Sequence, residues 1–535
     1  MDKAQRYRDA GHWPDQTLHF WLDENASRCP DRVAVKDAPN REGITGEAPI
    51  ALTWSQLQKA SRTFAAYMKS QGVQAGDRVL IQMPNVVDLV VVYYALSRLG
   101  AIISPIPVQY GHHEVDWVHS ELKNSHVIVA GSMAGKPLAA ASLSDRCAVT
   151  VMGKDWVIDP NVETDATVED SSVTASNILT ICWTSGTTGT PKGVSRDHNM
   201  WMAIGVSNVK VCDYRDGDIL LNPFPLVNMA AVGGFLFPAV VCGATLVLHH
   251  PIDVPVYLQQ LQQERCTFTI APPALLNQLA AKPDMWNAFD FSALRNIGSG
   301  AAPLSPWMID VFENQFGKPI LNFYGSNEGI SLYSIPSTTP DTEMRASCFY
   351  RPAVDSCIVA EVADPDTGEL LTEIGAIGEL LMGGPTVFNG YYNHDNEGVF
   401  SKEGLFRTGD LVEITGEDGR YLKIVGRCKE MINRGGFKLS PVELDLLLEK
   451  IDGVKEAAAF SIPDDTLGER VGAAIVLEDP AKTVDLAVIS SYFESQGVAK
   501  FKTPEGVLII EALPRNPVGK VQRFMLNEIY EAQSA

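Results

Sequence analysis

The sequence has 535 residues, 45% of them hydrophobic and 20% charged, the composition of an ordinary globular protein and not of a disordered chain. A formal charge of −22 excludes long-range attraction to DNA, RNA or anionic lipid, so any phosphate-bearing ligand has to be held by local donors. At roughly 150 residues per domain, the length predicts three or four folding units with room for a large core.

In chain order, the polar start Met1-Asp2-Lys3-Ala4-Gln5-Arg6 does not read as a secretory signal, and the expected location is the cytoplasm. Leu52 to Met68 predicts a helix capped by Thr53, with Leu57, Ala60, Phe64 and Met68 on one face and Gly72 as its stop. Gly76 to Met83 reads as a buried strand. The longest apolar run, Val86 to Ile103, contains Asp88 and Arg98 and predicts a buried helix, with no integral membrane association. His112-His113-Glu114 reads as a solvated helix start, since His119 is wrongly spaced for a zincin. Nine cysteines stand singly and are expected as reduced thiols.

Strand patterns recur at Ile102, Val127 to Val129, Ile178 to Trp183, Ala244 to Leu248, Thr267 to Ile270, Leu294 to Ile297 and Pro319 to Phe323, with helical patterns between them. The fold class expected is α/β, a large N-terminal domain of helix-covered β-sheets with a β-rich subdomain. Composition changes over Arg420 to Gly436. The boundary is placed there, giving residues 1–427 and a small α+β domain over 428–535, with strands at Val454 to Ile462 and Val471 to Leu477 and a helix at Val484 to Phe493.

Thr184-Ser185-Gly186-Thr187-Thr188-Gly189-Thr190-Pro191-Lys192-Gly193 combines hydroxyls, glycines and one lysine directly after a strand. Glycines let backbone N–H groups turn toward a ligand, hydroxyls donate further bonds and lysine adds a point charge, so the loop suits a polyphosphate. It is not a Walker loop, because Lys192 follows Pro191 and the Gly-Lys-Ser/Thr ending is missing. Further along stand Gly298-Ser299-Gly300-Ala301-Ala302-Pro303, Tyr324-Gly325-Ser326-Asn327-Glu328-Gly329, Arg407-Thr408-Gly409-Asp410, Gly426-Arg427-Cys428-Lys429-Glu430 and Pro514-Arg515-Asn516-Pro517-Val518-Gly519-Lys520. A dinucleotide fingerprint at Gly298 fails, since Pro303 takes the third-glycine position, and no G-x-S-x-G elbow marks a serine hydrolase.

This ordered set resembles the adenylate-forming (AMP-binding) superfamily, which contains acyl-CoA synthetases, beetle luciferases and adenylation domains of peptide synthetases, and it points to the acid-CoA ligase branch. The resemblance implies that Thr184 to Thr190 and Lys192 hold ATP phosphates, that Gly300, Ala301, Tyr324 and Gly325 lie by the adenine, and that Asn327, where threonine is usual, still donates to phosphate. It further implies Glu328 as the Mg2+ ligand, Asp410 on the ribose hydroxyls, Arg427 near ribose or phosphate, Lys429 as the pivot of a mobile C-terminal domain, and Lys520 as the catalytic cation. The acyl pocket is expected from Val227, Asn228, Met229, Gly233, Gly298 and Phe323, with Asn228 either reading a ring or polar substituent or simply capping a helix. Gly435, Gly436 and Lys438 would meet coenzyme A, with Arg434 as another candidate for its phosphates.

The expected reaction is ATP-dependent activation of a fatty, alicyclic or aromatic acid to an acyl-adenylate, then transfer to coenzyme A. The expected partners are that acid, ATP and coenzyme A, with no nucleic acid, for a chain acting singly or as a homodimer. Two rivals remain: an aryl-acid activator that loads a separate carrier protein, and a catalytically silent homologue.

Overall fold

The computed structural model describes residues 3–163, 168, 172–184, 191–352, 357–435, 437–464, 466–515 and 521–534. Local chemistry sets the first long helix, Trp54–Ser70. Gln56 N–H donates to Thr53 Oγ1 at 3.3 Å, and Thr53 N–H donates back to Gln56 Oε1 at 3.0 Å, which closes a capping box. Leu57, Ala60, Phe64 and Met68 are all buried, as the 3.6-residue spacing predicts.

The apolar run becomes the helix Val87–Leu99, in which every residue is buried. Its two charges are paired: Arg98 donates to both oxygens of Asp23 at 2.5 and 3.0 Å, and Asp88 lies 2.7 Å from Arg41. Buried charges need such partners, and their presence marks an interior helix. Among the described residues no helix is long and apolar enough to cross a membrane. None of the nine cysteines is in a disulfide.

The chain packs as two compact units, Met1–Val359 with Gly383–Phe400, and Ala360–Met382 with Ser401–Ala535. The first carries two sheets. One runs in the order Ser331–Ser334, Ile320–Gly325, Asn296–Gly300, Phe268–Ile270, Ile219–Asn222, Thr245–Leu248, Val33–Lys36, Ala51–Thr53, parallel except at its two edges. The other runs Ala148–Met152, His126–Ala130, Arg78–Gln82, Ile102–Pro105, Ile178–Trp183, Gly193–Asp197, parallel except for the last pair. Helices over these sheets share one core that includes Phe64, Tyr93, Trp201, Phe235 and Phe268. Parallel strands buried on both faces explain the continuous apolar runs in the sequence.

The strand expected at Leu294 to Ile297 instead covers Asn296–Gly300. Gly298 and Gly300 extend it because neighbouring Phe323 leaves no room for a side chain. A Cβ on Gly298 would stand 2.4 Å from the Phe323 ring, and one on Gly300 would stand 2.2 Å from its carbonyl oxygen. Glycine is thus a strand residue here, where sequence alone suggests a turn.

In the second unit, Phe406–Thr415 pairs antiparallel with Tyr421–Arg427 and with Ile377–Gly383. A further sheet is built on the long hairpin of Val454–Asp464 with Gly468–Leu477, joined by Gly506–Ile509 in parallel. The helix Leu486–Ser495 covers it, buried through Ile489 and Phe493. The expected boundary at 427/428 falls inside this unit.

Candidate active site

The phosphate-type loop is pinched at its base. Trp183 pairs opposite Gly193, Thr184 N–H donates to Lys192 O at 3.0 Å, and Lys192 N–H donates to Thr184 Oγ1 at 3.3 Å. Ser185, Gly186, Thr187, Thr188, Gly189 and Thr190 lie outside the described residues.

Opposite the loop base stands the segment Tyr324–Gly329. Asn327 joins two parts of the site: its Oδ1 accepts from Met229 N–H at 2.8 Å and its Nδ2 donates to Trp183 O at 3.4 Å. The expected amide donor to phosphate is therefore also a tie between the loop strand and the segment expected to bind the acyl group. Behind it lies Arg196, a residue the motifs do not flag, which is buried and stacked 4.4 Å from the Trp201 ring. Arg196 donates to Asn327 O at 2.9 Å and Thr386 O at 2.6 Å, and burial pushes its guanidinium down to about 10. Gly329, at φ 105°, lets the chain pass Thr386, whose carbonyl oxygen would stand 1.9 Å from a Cβ.

Glu328 is half-buried, and its Oε1 accepts from the Tyr391 hydroxyl at 2.9 Å. The Lys192 ammonium sits 4.8 Å from the centre of the same tyrosine ring. Magnesium is commonly held by one or two carboxylates together with phosphate oxygens and water, so a single carboxylate beside a phosphate-loop lysine fits it. Among the described residues no cluster of three or more His, Cys, Asp or Glu forms a dedicated metal cage.

The acyl-side segment is clamped from the buried helix and from the residues just before it. Asn85 Nδ2 donates to Phe224 O at 2.7 Å and Tyr93 OH donates to Leu226 O at 2.7 Å. Val227 is buried, while Asn228 and Met229 are half-exposed. Asn228 caps the short helix Met229–Ala231, its side-chain oxygen accepting from Ala231 N–H at 3.4 Å, so the geometry supports the helix cap among its two readings. A π-turn, Val232–Leu236, follows and includes Gly233, where a Cβ would crowd Ile204 at 2.7 Å and Met229 at 2.8 Å. Such π-bulges recur at functional sites. Phe323 packs edge-on to Tyr333 at 5.7 Å, and Tyr324 lies 5.5 Å from Phe349. Ala301, at φ 66°, holds the left-handed backbone after Gly300.

In the second unit, Asp410 and Arg427 face each other across paired strands, and Arg427 Nε donates to Asp410 Oδ1 at 2.8 Å. Lys429 is exposed in the turn that follows. Gly435, at φ 58°, donates its N–H to Leu467 O at 2.7 Å. Arg434 pairs with Glu505 at 2.6 Å. Arg515 and Val521 form an antiparallel bridge, and the closing-motif residues 516–520 between them, Lys520 included, lie outside the described residues, as do Gly436 and the Lys438 side chain.

The first unit thus brings a lysine-bearing loop base, a nearby carboxylate and a clamped, mostly apolar segment together on a helix-covered, mostly parallel pair of sheets. Residues 22–392 match the family of AMP-binding enzymes and residues 443–520 match the AMP-binding enzyme C-terminal domain. The chain belongs to the AMP-binding enzyme family. It is 30% identical to an indoleacetate–CoA ligase of Aromatoleum aromaticum, over 95% of this chain and 96% of that one. It is 29% identical to a salicyl-AMP ligase / salicyl-S-ArCP synthetase of Mycobacterium tuberculosis, over 98% and 92%. Its fold matches that of ATP-bound MatB from Rhodopseudomonas palustris with a TM-score of 0.82 at 24% identity, covering 97% and 100% of the two chains.

Proposed function

We propose that this protein joins a hydrophobic carboxylic acid, an aromatic one first among candidates, to coenzyme A by way of an acyl-adenylate. The observation that carries the reading is Asn327. It holds Trp183 O, at the end of the strand that leads into the proposed phosphate loop, and Met229 N–H together, an arrangement that supports attack of a carboxylate on ATP.

In the first half-reaction a carboxylate oxygen bonds to the α-phosphorus and the bond to the pyrophosphate oxygen breaks. Both reactants are anionic, so the protein has to bring cations rather than an acid-base pair, the carboxylate being ionised already at neutral pH. Lys192 and the hydroxyls of the 184–190 loop hold the β- and γ-phosphates, and Lys520 offers its ammonium to the charge that moves. Glu328 holds magnesium, which when bound supplies positive charge to the phosphate oxygens. Asp410 accepts from the ribose hydroxyls, with Arg427 beside it, and Tyr324, Gly300, Ala301 and Gly325 form the adenine wall.

In the second half-reaction the thiol sulfur bonds to the acyl carbon, the bond to AMP breaks, and the thiol proton is lost to water. Residues 428–535 serve as a lid turning about Lys429, and Gly435, Gly436 and Lys438 admit the pantetheine arm. Arg434, committed to Glu505, is the weaker candidate for the coenzyme A phosphates. Aromatic acids are favoured by the Phe323–Tyr333 ring pair and by the indoleacetate–CoA ligase relative.

The salicyl-loading relative supports a second reading, transfer to a carrier protein. Acid-dependent pyrophosphate release across fatty, alicyclic and aromatic acids, with and without coenzyme A, tests both. Acyl-CoA from an aromatic acid meets the proposal. Release without acyl-CoA moves the acceptor to a carrier protein, and no release with any acid leaves a silent homologue.

A further inference from the structure

Two opposite charges proposed to work separately meet the same tyrosine, one at its ring and one at its hydroxyl. The Lys192 ammonium lies 4.8 Å from the Tyr391 ring centre, and the Tyr391 hydroxyl donates to Glu328 Oε1 at 2.9 Å. Among the described residues Lys192 and Glu328 make no ion pair with each other. Beside the same tyrosine, a lysine on a flexible stem and a half-buried carboxylate attract each other, the more so as water is excluded. Such a pair would occupy the cation needed for phosphate and the carboxylate needed for metal.

Tyr391 is itself fixed. Its N–H donates to Asn396 Oδ1 at 2.7 Å, its ring packs on Phe388 at 4.9 Å, and its backbone bridges to Val194 beside the phosphate loop. The next residue, Tyr392, donates its N–H to Gly193 O at 2.8 Å. A ring held this firmly does not swing aside, so its face and its hydroxyl present two fixed points, one for a cation and one for an anion.

We infer that Tyr391 is a positioning residue that keeps Lys192 and Glu328 apart and aimed, its ring face carrying the lysine and its hydroxyl orienting the carboxylate. The inference rests on the proposed roles of Lys192 and Glu328 in holding ATP and magnesium. It assigns Tyr391 no contact with the reacting atoms.

The test is calorimetric binding of ATP to the full chain, with magnesium and with the metal chelated, for wild type, Tyr391→Phe, Tyr391→Ala and Tyr391→Ala with Glu328→Gln. Tyr391→Phe keeps the ring, so metal-free ATP binding stays at the wild-type level while magnesium-dependent binding weakens about tenfold, the size of one hydrogen bond to a charged group. Tyr391→Ala also lets Lys192 collapse onto Glu328, and metal-free binding falls by about tenfold as well. Adding Glu328→Gln removes the competing anion and restores metal-free binding, a rescue that a merely structural tyrosine would not show. Tyr391→Phe matching wild type in both conditions, or no rescue in the double variant, overturns the inference. Wild type that binds no ATP in either condition overturns the proposed function, and this inference with it.

Discussion

The side-chain oxygen of Asn85 accepts a hydrogen bond from the backbone N–H of Leu226 at 2.9 Å, across 141 residues of chain. Its amide nitrogen donates to Phe224 O, so one buried side chain grips the start of the acyl-side segment through two backbone groups. Asn85→Ala strands a carbonyl and an N–H with little access to water, at a cost of about 2 kcal/mol. We expect KM for the acid to rise about tenfold on that basis, with KM for ATP unchanged, because the clamp touches only the acyl side. An equal rise in both constants would show that the variant disturbs the whole unit.

The cluster at Asp88 predicts a pH effect on stability. Asp88 is surrounded by Arg41, Asp37 and Glu47, and burial pushes its carboxyl up to about 6. A carboxyl whose folded value exceeds its unfolded value of about 3.9 favours folding most when protonated. Its contribution is full below that unfolded value and is lost as the pH rises through 6. On lowering the pH from 7 to 4, the wild type should therefore gain in Tm relative to Asp88→Asn, other carboxyls being common to both. Thermal unfolding at pH steps across that range checks this, and a constant difference would refute it.

The role proposed for Lys520 predicts that Lys520→Ala lowers acid-dependent pyrophosphate release by about a hundredfold, the usual cost of losing a charge-stabilising group. Thioester formation from supplied acyl-adenylate should be spared. Single-turnover assays of each half-reaction separate the two, and equal loss in both would remove Lys520 from the first step.

Lys429 is exposed in a turn, and among the described residues its N–H donates to no backbone carbonyl. Lys429→Pro therefore removes no backbone bond but fixes φ at its own position and restricts Cys428 before it. Adenylation should persist while thioester formation falls about tenfold or more, as for other closures that depend on a few hinge dihedrals. Unchanged thioester formation would argue against the hinge.

Much of the fold was legible because its signals are local. The capping box of Thr53 and Gln56 and the spacing from Leu57 to Met68 belong to one helix, so the chain near Trp54–Ser70 carries its own instructions. The buried helix Val87–Leu99 was equally readable as helix, whereas the partners of Asp88 and Arg98 were not, since Arg41 and Asp23 lie far away in the chain. Glu328 and Lys192 stood out because their neighbours spell recognisable motifs.

By itself the sequence determined the α/β architecture, the residue types of the loop and the order of motifs, all of which depend on residue type and short spacing. Tertiary structure alone decided that Asn327 ties Trp183 to Met229, that Arg196 underlies Asn327, and that Tyr391 meets both Lys192 and Glu328. A polar side chain has the same short-range signature whether it meets water or a carbonyl a hundred residues distant. Only the folded chain, which has to satisfy each buried donor and acceptor, makes that choice.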